Sequence, residues 1–150
     1  MSHSYTSNRI HIIFSTKGRR KSLSPDFQPK LWAYMAGIAK NHGFLAITIG
    51  GTDDHCHCLI ALPGPMPLSK AVQTLKGCSS KWINDTAVAD GKFAWQEGYG
   101  AFSVSASQTL GVIAYIRNQP EHHKKRDFEL EFVEFLKKYG VTFDPAHVMG

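Results

Sequence analysis

Hydrophobic residues recur along the chain at two spacings, one typical of strands and one typical of helices. Runs rich in β-branched and aromatic residues predict strands over residues 9–15, 47–50 and 55–62, and extended segments over 93–95 and 99–104. Apolar residues three or four positions apart predict helices over residues 26–41, 67–85, 105–119 and 127–139. This order of elements predicts an α+β protein with a central, mostly antiparallel sheet and helices packed on it.

Length and composition are those of an ordinary globular domain. Residues 1–150 are predicted to form a single domain, and no apolar run approaches the ~20 residues that a membrane span needs. Residues 1–8 are polar and lack the apolar core of a signal peptide. The three cysteines are an odd number, which argues against a disulfide framework and predicts a cytoplasmic location.

A His-X-His triplet, His55-Cys56-His57, lies in the third predicted strand, after a turn rich in glycine and aspartate. Side chains alternate between the two faces of a strand, so His55 and His57 point the same way and can hold one metal ion together. Cys56 and Cys58 share the opposite face and cannot complete that site. The alternative is a pair of partly buried sheet histidines without a ligand.

The predicted helix over residues 105–119 begins at a serine that can cap it and stops before Pro120, which cannot continue it. Tyr115 and Gln119 are four residues apart and therefore lie on one side of this helix. A phenol hydroxyl and an amide oxygen thus project toward a common point. The alternative is a tyrosine at the rim of an ordinary amphipathic helix.

Basic residues exceed acidic ones and give a net charge of +5, which favours a polyanionic partner. They form three groups: after the first strand, on the 67–85 helix and around the end of the 105–119 helix. The candidates for nucleic-acid contact are Lys17, Arg19, Arg20, Lys76, Lys81, Arg117, Lys124 and Lys125. Each group alone can be a solvated surface patch, but three groups flanking one candidate site favour phosphate binding.

Four blocks of sequence, residues 54–57, 76–83, 95–105 and 115–125, follow one another along the chain. Together they resemble the HUH single-strand DNA transposases with one catalytic tyrosine, the insertion sequence two-hundred / six-hundred-and-five family. The resemblance extends from about Ile10 to Phe143. Cys56 departs from the family, which usually carries a bulkier aliphatic residue there, but a cysteine tolerates burial.

This resemblance implies a fold, a reaction and the roles of several residues. It implies the ferredoxin-like, RNA-recognition-type α+β fold, with C-terminal helices that carry the catalytic tyrosine. Tyr115 would be the nucleophile that forms a 5′-phosphotyrosine and frees a 3′-hydroxyl in single-stranded DNA. His55, His57 and Gln119 would hold a divalent cation, Mg²⁺ or Mn²⁺, against the scissile phosphate.

The resemblance also implies partners. The substrates would be hairpins in single-stranded DNA at the ends of a mobile element, with no membrane partner. The protein would act as a homodimer. In that family the tyrosine helix of one subunit commonly completes the histidine pair of the other, but whether Tyr115 acts in cis or in trans stays open. Three other functions stay open: a domesticated relative that acts on repeated palindromes, a replication-initiator or relaxase nuclease, and a non-catalytic nucleic-acid-binding module.

Several residues near these motifs carry more ordinary expectations. Asp53 and Asp54 are expected to be turn residues that bond their own backbone rather than further metal ligands. His122 and His123 are expected to contact DNA or solvent rather than a metal. Trp82 lies on the apolar stripe of its helix and is expected in the core.

Overall fold

The computed structural model describes residues 3–86, 91–124 and 127–148, and the elements follow the predicted order. The strands are β1 (Arg9–Ser15), β2 (Leu45–Gly51), β3 (His55–Ala61) and β4 (Gly100–Val104). The helices are α1 (Gln28–Asn41), α2 (Leu68–Thr86), α3 (Thr109–Arg117), α4 (Gln119–His122) and α5 (Phe128–Lys138). Short 3-10 turns, Lys17–Arg19 and Ala106–Gln108, follow β1 and precede α3.

The four strands form one antiparallel sheet in the order β2-β3-β1-β4. β1 and β3 are therefore central, and their register places Ile13 opposite His57 and Ser15 opposite His55. A β-α-β-β-α-β chain that folds with this strand order is the ferredoxin-like arrangement. The prediction of an α+β fold built on an antiparallel sheet is confirmed.

Each face of the sheet buries its own set of side chains. Ile12, Phe14 and Cys56 belong to the larger core, which also contains residues of α1 and α2. Ile13 packs with residues of α5, and Leu59 packs with Ile116 of α3, on the other face. Because neighbouring residues of a strand face opposite sides, the two histidines of β3 lie on the face covered by α3 and α5.

The predicted helix over residues 105–119 is divided in the structure. The chain leaves helical geometry at Asn118, where φ is -99° and ψ is 17°, and α4 begins at Gln119. Pro120 lies in the first turn of α4, where a missing N–H removes no helical hydrogen bond. The prediction that the helix ends because of Pro120 is therefore wrong, and the break one turn after Tyr115 gives Gln119 a fully buried position.

Two further predictions are refined by the structure. The extended segment predicted over 93–95 contributes a single bridge, between Trp95 and Thr16. Trp82 packs at the border of the larger core, stacked on Phe27 and Tyr34 at centroid distances of 5.4 and 4.2 Å. Among the described residues, no helix combines the length and the apolar character required to cross a bilayer.

Candidate active site

β3 presents His55 and His57 toward α3, α4 and α5, and both imidazoles are fully buried. Their ring centroids are 5.2 Å apart. Cys56 and Cys58 lie in the core on the other face, as the alternation of a strand requires. The structure thus places the two histidines side by side and keeps the two thiols away from them.

A glycine lets α3 approach the sheet closely enough to reach these histidines. A Cβ on Gly50 of β2 would stand 2.7 Å from the backbone oxygen of Ile116, so only glycine permits this contact. Ile116 is fully buried between α3 and the sheet. Its neighbour Tyr115 therefore lies over the histidine face, with its ring centroid 5.8 Å from that of His57.

His55 is held on both of its ring nitrogens. Its Nδ1 lies 2.8 Å from Asp54 Oδ1 and 2.9 Å from Thr52 Oγ1, and its Nε2 lies 2.9 Å from Gln119 Oε1. Gln119 Nε2 donates to a carboxylate oxygen of Glu131 at 3.1 Å, which turns the amide oxygen toward His55. The tautomer that donates Nδ1–H to Asp54 leaves the Nε2 lone pair facing that oxygen, as two ligands of one ion would.

His57 connects the buried carboxylate to a third histidine. Its Nε2 lies 2.9 Å from Glu131 Oε1, and its Nδ1 lies 2.8 Å from Nε2 of His11 on β1. Burial lowers the pKa of His57 to about 4, although Glu131 acts in the opposite direction. Burial, and to a smaller extent the neighbouring His57, also hold the pKa of His11 well below its usual range. Both rings are therefore neutral near pH 7, the form that can bind a metal.

Glu131 of α5 is the common acceptor of the site. It receives hydrogen bonds from the Tyr115 hydroxyl, from Gln119 Nε2 and from His57 Nε2. Burial alone would raise the pKa of this carboxyl, but its contacts with His123, His57 and Tyr115 outweigh burial and hold the pKa far below its usual range. An ionised carboxylate thus lies between the tyrosine and the histidines.

Four residues form a cluster that can hold a metal ion: His55, His57, His123 and Glu131, with one ligand atom from each within 4.8 Å of the others. His123 Nε2 is buried 3.2 Å from Glu131 Oε1, yet within the described residues it has no partner in hydrogen-bond geometry. His123 was expected to contact DNA or solvent rather than a metal, but its position makes it a candidate ligand, and contact with DNA stays a prediction. The His122 ring lies against Tyr115, with ring centroids 4.6 Å apart and the planes tilted by 31°.

Sequence reasoning missed His11 and Glu131 and gave Asp54 a different role. The Asp54 carboxylate bonds to the His55 ring and accepts from Thr52 Oγ1 at 3.1 Å. It therefore orients a candidate ligand rather than only closing the turn. The sequence did contain an indication that Glu131 is buried, because it lies on the apolar stripe of its helix, three residues after Phe128. A charge at such a position has to be paired when it is buried.

Two cavities border the site. One, of about 420 Å³, is lined by Asp54, His123 and Phe128 together with Lys21 and Lys124. The other, of about 580 Å³, is lined by His11 and Tyr115 together with residues of α3 and α5. One cavity therefore borders His123 of the histidine cluster, and the other borders Tyr115.

The basic candidates lie in different surroundings. Lys17 and Arg19 are in the turn after β1, where Arg19 pairs with Glu129 at 3.5 Å, and Arg20 follows them. Lys76 donates to the backbone oxygens of Gln96 and Gly98, and burial lowers its pKa.

The remaining basic candidates lie on helices or in the turn after α4. Lys81 pairs with Asp85, and Lys124 with Glu121. Arg117 ends α3 and is exposed. Lys125 lies outside the described residues. Of the described candidates, Lys124 is the one that lines a cavity of the site. Contact of these residues with DNA stays a prediction.

Comparison with known proteins gives both a family and a fold. The family described as "Transposase IS200 like" matches residues 4–119, more than half of the chain. Among curated proteins, none matches this sequence. Nine chains of solved structures match.

Two of these structures are similar over most of their length. A protein assigned as a transposase, from Deinococcus radiodurans R1, aligns with a TM-score of 0.62 at 22% identity, covering 79% of this chain and 96% of the other. A REP-associated tyrosine transposase bound to a REP hairpin aligns with a TM-score of 0.61 at 15% identity, covering 82% of this chain and 73% of the other. These alignments establish the shared fold, and the family match establishes kinship in sequence. The chain belongs to the IS200-like transposase family.

Proposed function

We propose that this protein cleaves and rejoins single-stranded DNA with Tyr115 as the nucleophile. One observation carries the proposal: Tyr115, Gln119 and His57 bond to a single buried carboxylate, Glu131, and His55 Nε2 lies 3.8 Å from it. A tyrosine at the rim of an amphipathic helix would have no reason to meet these groups. A tyrosine that attacks a phosphate needs polar groups at this place, to position its oxygen and to balance charge.

In the reaction we propose, each bond formed is matched by a bond broken, and the number of protons does not change. The Tyr115 oxygen attacks a phosphodiester phosphorus, and the bond from that phosphorus to the 3′ oxygen breaks. The phenol loses a proton and the departing 3′ oxygen gains one, which gives a 5′-phosphotyrosine and a 3′-hydroxyl. Attack by the 3′-hydroxyl of another strand reverses these changes and frees the tyrosine, so strand transfer needs no nucleotide hydrolysis.

The donor groups fit a divalent cation. His55 Nε2 and Gln119 Oε1 face each other at 2.9 Å, His123 offers a buried nitrogen without a hydrogen-bond partner among the described residues, and Glu131 supplies negative charge. We propose that His55, His57 and Gln119 are ligands, and that Glu131 joins them. A mixed set of nitrogen and oxygen donors suits Mn²⁺ and also Mg²⁺. When bound, such a cation neutralises phosphate charge and stabilises the leaving oxygen.

Binding of Mn²⁺ in the absence of DNA tests the metal site separately from the reaction. His57→Ala removes one ligand and should weaken Mn²⁺ binding at least about tenfold, as measured by calorimetry or electron paramagnetic resonance. His147→Ala is the matched control, because His147 is exposed and pairs only with Asp144 among its described neighbours. Equal affinity of the two variants would remove His57 from the metal site.

The arrangement within one chain bears on subunit sharing. Tyr115 and Gln119 reach Glu131 and His55 of the same chain, so we propose that the tyrosine acts in cis. The homodimer implied by the resemblance stays a prediction. It is compatible with the edge strands β2 and β4, which present backbone groups that a second copy can pair with.

We propose a DNA hairpin as substrate, because a protein with a net charge of +5 attracts polyanions and because a relative with this fold is described as bound to a REP hairpin. A mobile element and a domesticated copy that acts on repeated palindromes would use the same residues. The DNA on either side of the gene separates them. Inverted repeats directly at its ends support a mobile element, whereas palindromes scattered through the genome support a domesticated copy.

The covalent intermediate is the direct test of function. A hairpin strand labelled at its 3′ end should give a labelled protein band in a denaturing gel, because the label stays on the fragment joined to tyrosine. Tyr115→Phe should erase this band. Tyr34→Phe is the control, because Tyr34 stacks on Trp82 at a distance from the site. A band that persists in Tyr115→Phe would assign the nucleophile to another residue.

A further inference from the structure

The cavity on the Tyr115 side has walls unlike those of the cavity on the His123 side. It occupies about 580 Å³ between α3 and α5, a volume typical of small-ligand sites. Its aromatic walls are His11, Tyr115, Phe135 and Tyr139, and its polar lining is Gln108, Glu134 and Lys138. The cavity on the His123 side has a single aromatic carbocycle, Phe128, among acidic and basic groups. Of these two cavities, the Tyr115 cavity is therefore the one whose aromatic lining suits a flat ring.

The aromatic rings of this cavity brace one another. Phe135 meets His11 edge-on at a centroid distance of 5.2 Å and Tyr115 at 5.8 Å, and its ring is within 8° of parallel to that of Tyr139. Lys138 lies over Tyr139 with Nζ 5.6 Å from the ring centre. Rings held in this way form a platform on which a base can stack, and an adjacent lysine suits the phosphate that accompanies it.

The position of the nucleophile selects which nucleotide occupies the cavity. Tyr115 forms part of its wall, and the phosphate that its oxygen receives remains attached to the 5′ carbon of one nucleotide. In an in-line displacement the leaving 3′ oxygen departs on the side opposite to Tyr115, so its own nucleotide is directed away. The nucleotide that stays attached to the phosphate is therefore the one that can reach the cavity.

We propose that this cavity is a nucleobase site, and that it holds the base of the nucleotide whose 5′ phosphate is transferred to Tyr115. The proposal rests on the function proposed above. Stacking would place the scissile phosphate against the tyrosine before cleavage and would keep the attached strand in position until another 3′-hydroxyl arrives. Gln108 Oε1 accepts from the Ser105 N–H at 3.4 Å, and its amide Nε2 can donate to the edge of the base, which gives the site a means of preferring some bases over others.

Gly111 provides a way to fill the cavity without disturbing the rest of the protein. It lies on α3 one turn before Tyr115, it lines the cavity, and a Cβ placed on it has no heavy atom within 4 Å. Gly111→Leu should therefore occupy the space intended for the base. Gly37→Leu is the matched control, because Gly37 is also helical and also has open space, but lies on α1 and lines a different cavity.

The experiment uses hairpin strands in which 2-aminopurine replaces each nucleotide of the single-stranded flank in turn. With Tyr115→Phe protein, which keeps the ring and cannot cleave, one position should show stacking as strong fluorescence quenching. That quenching should persist when Gly37→Leu is added and disappear when Gly111→Leu is added. With otherwise wild-type protein, an abasic nucleotide at the same position should slow adduct formation roughly tenfold, the scale of one base stacked on aromatic side chains.

The outcomes separate the base site from the proposed reaction. Quenching that survives Gly111→Leu, or an abasic nucleotide at the quenched position that reacts at the normal rate, would overturn the base site. Quenching that Gly111→Leu abolishes, in a protein whose Tyr115 never forms an adduct, would support base binding and overturn the proposed chemistry. The abasic measurement changes only the DNA, so it decides the question even if a cavity variant folds poorly.

Discussion

Gly50→Ala tests whether the docking of α3 on β2 sets the geometry of the active site. The added Cβ would lie 2.7 Å from the backbone oxygen of Ile116 and 3.0 Å from its Cγ2. Ordinary contact begins at 3.4 Å, so the backbone of α3 must withdraw by about 0.7 Å. A helix carbonyl cannot rotate away as a side chain does, and the movement therefore displaces the helix itself.

The displacement reaches the reacting groups directly. Tyr115 precedes Ile116 in α3 and is carried outward with the helix. Gln119 begins α4 three residues after Ile116, so the displacement reaches it through the connection at Asn118. The 2.9 Å separation between His55 Nε2 and Gln119 Oε1, the two proposed ligand atoms, would widen accordingly. Misplacement of a catalytic group by ~1 Å costs about 10²-fold in rate. We expect a loss of roughly 10- to 100-fold, which is about 1.4–2.7 kcal/mol of activation free energy.

The assay is the single-turnover rate of adduct formation on the 3′-labelled hairpin strand. Thermal unfolding should be measured in parallel, because a methyl group inserted into a packed interface costs typically about 1–3 kcal/mol of stability. Gly77→Ala is the control, since Gly77 lies on α2 and a Cβ there has no heavy atom within 4 Å. In that helix the alanine should leave the rate unchanged and raise stability by up to ~1 kcal/mol.

The reasoning would be refuted by a folded Gly50→Ala protein that forms the adduct as fast as Gly77→Ala does. Such a result would show that α3 reaches its catalytic position independently of its contact with β2. A lower rate that tracks only the unfolded fraction at the assay temperature would refute it as well.

Three other predictions concern the groups around Glu131. Glu131→Gln keeps the shape but removes the charge, and calorimetry should show Mn²⁺ affinity falling at least about tenfold; unchanged affinity would contradict a ligand role. His11→Phe removes the partner of His57 Nδ1 and should cost about 10- to 100-fold in Mn²⁺ affinity or adduct rate, whereas a wild-type value for both would make His11 a packing residue. If the tyrosine acts in cis, a mixture of Tyr115→Phe chains and His57→Ala chains should form no adduct. Recovered adduct formation in a dimer of about twice 16.7 kDa would show that the active site is shared between subunits.

Most of the fold was predictable because its signals are local. The strand over residues 9–15 was predicted at its observed bounds, since a β-branched and aromatic run with polar ends specifies a strand within a few residues. The helix break at Asn118 was not predictable in this way. Pro120 is compatible with a helix end and with the first turn of a new helix, and only packing of Gln119 against His55 decides between them.

The residues of the candidate site also form two groups: those placed by the spacing within one element and those placed by tertiary packing. His55 and His57 are related by the period of one strand, so their shared face could be predicted from spacing alone. Tyr115 and Gln119 were expected to share a face of one continuous helix, but they lie in α3 and α4 and meet at Glu131. His11 could not be assigned, because alternation in β1 states that it shares a face with Ile13 but not which face meets the histidines. The register of β1 against β3, which places Ile13 opposite His57, supplies the missing fact.

Glu131 shows why this site is a product of tertiary packing. Its donors Tyr115, Gln119 and His57 come from α3, α4 and β3, and none of them adjoins it in sequence. A carboxylate withdrawn from water is costly unless its oxygens are hydrogen-bonded, so each donor stabilises the charge and is positioned by it in return. A change at any interface that carries one of these donors therefore acts on the nucleophile and on the metal ligands together.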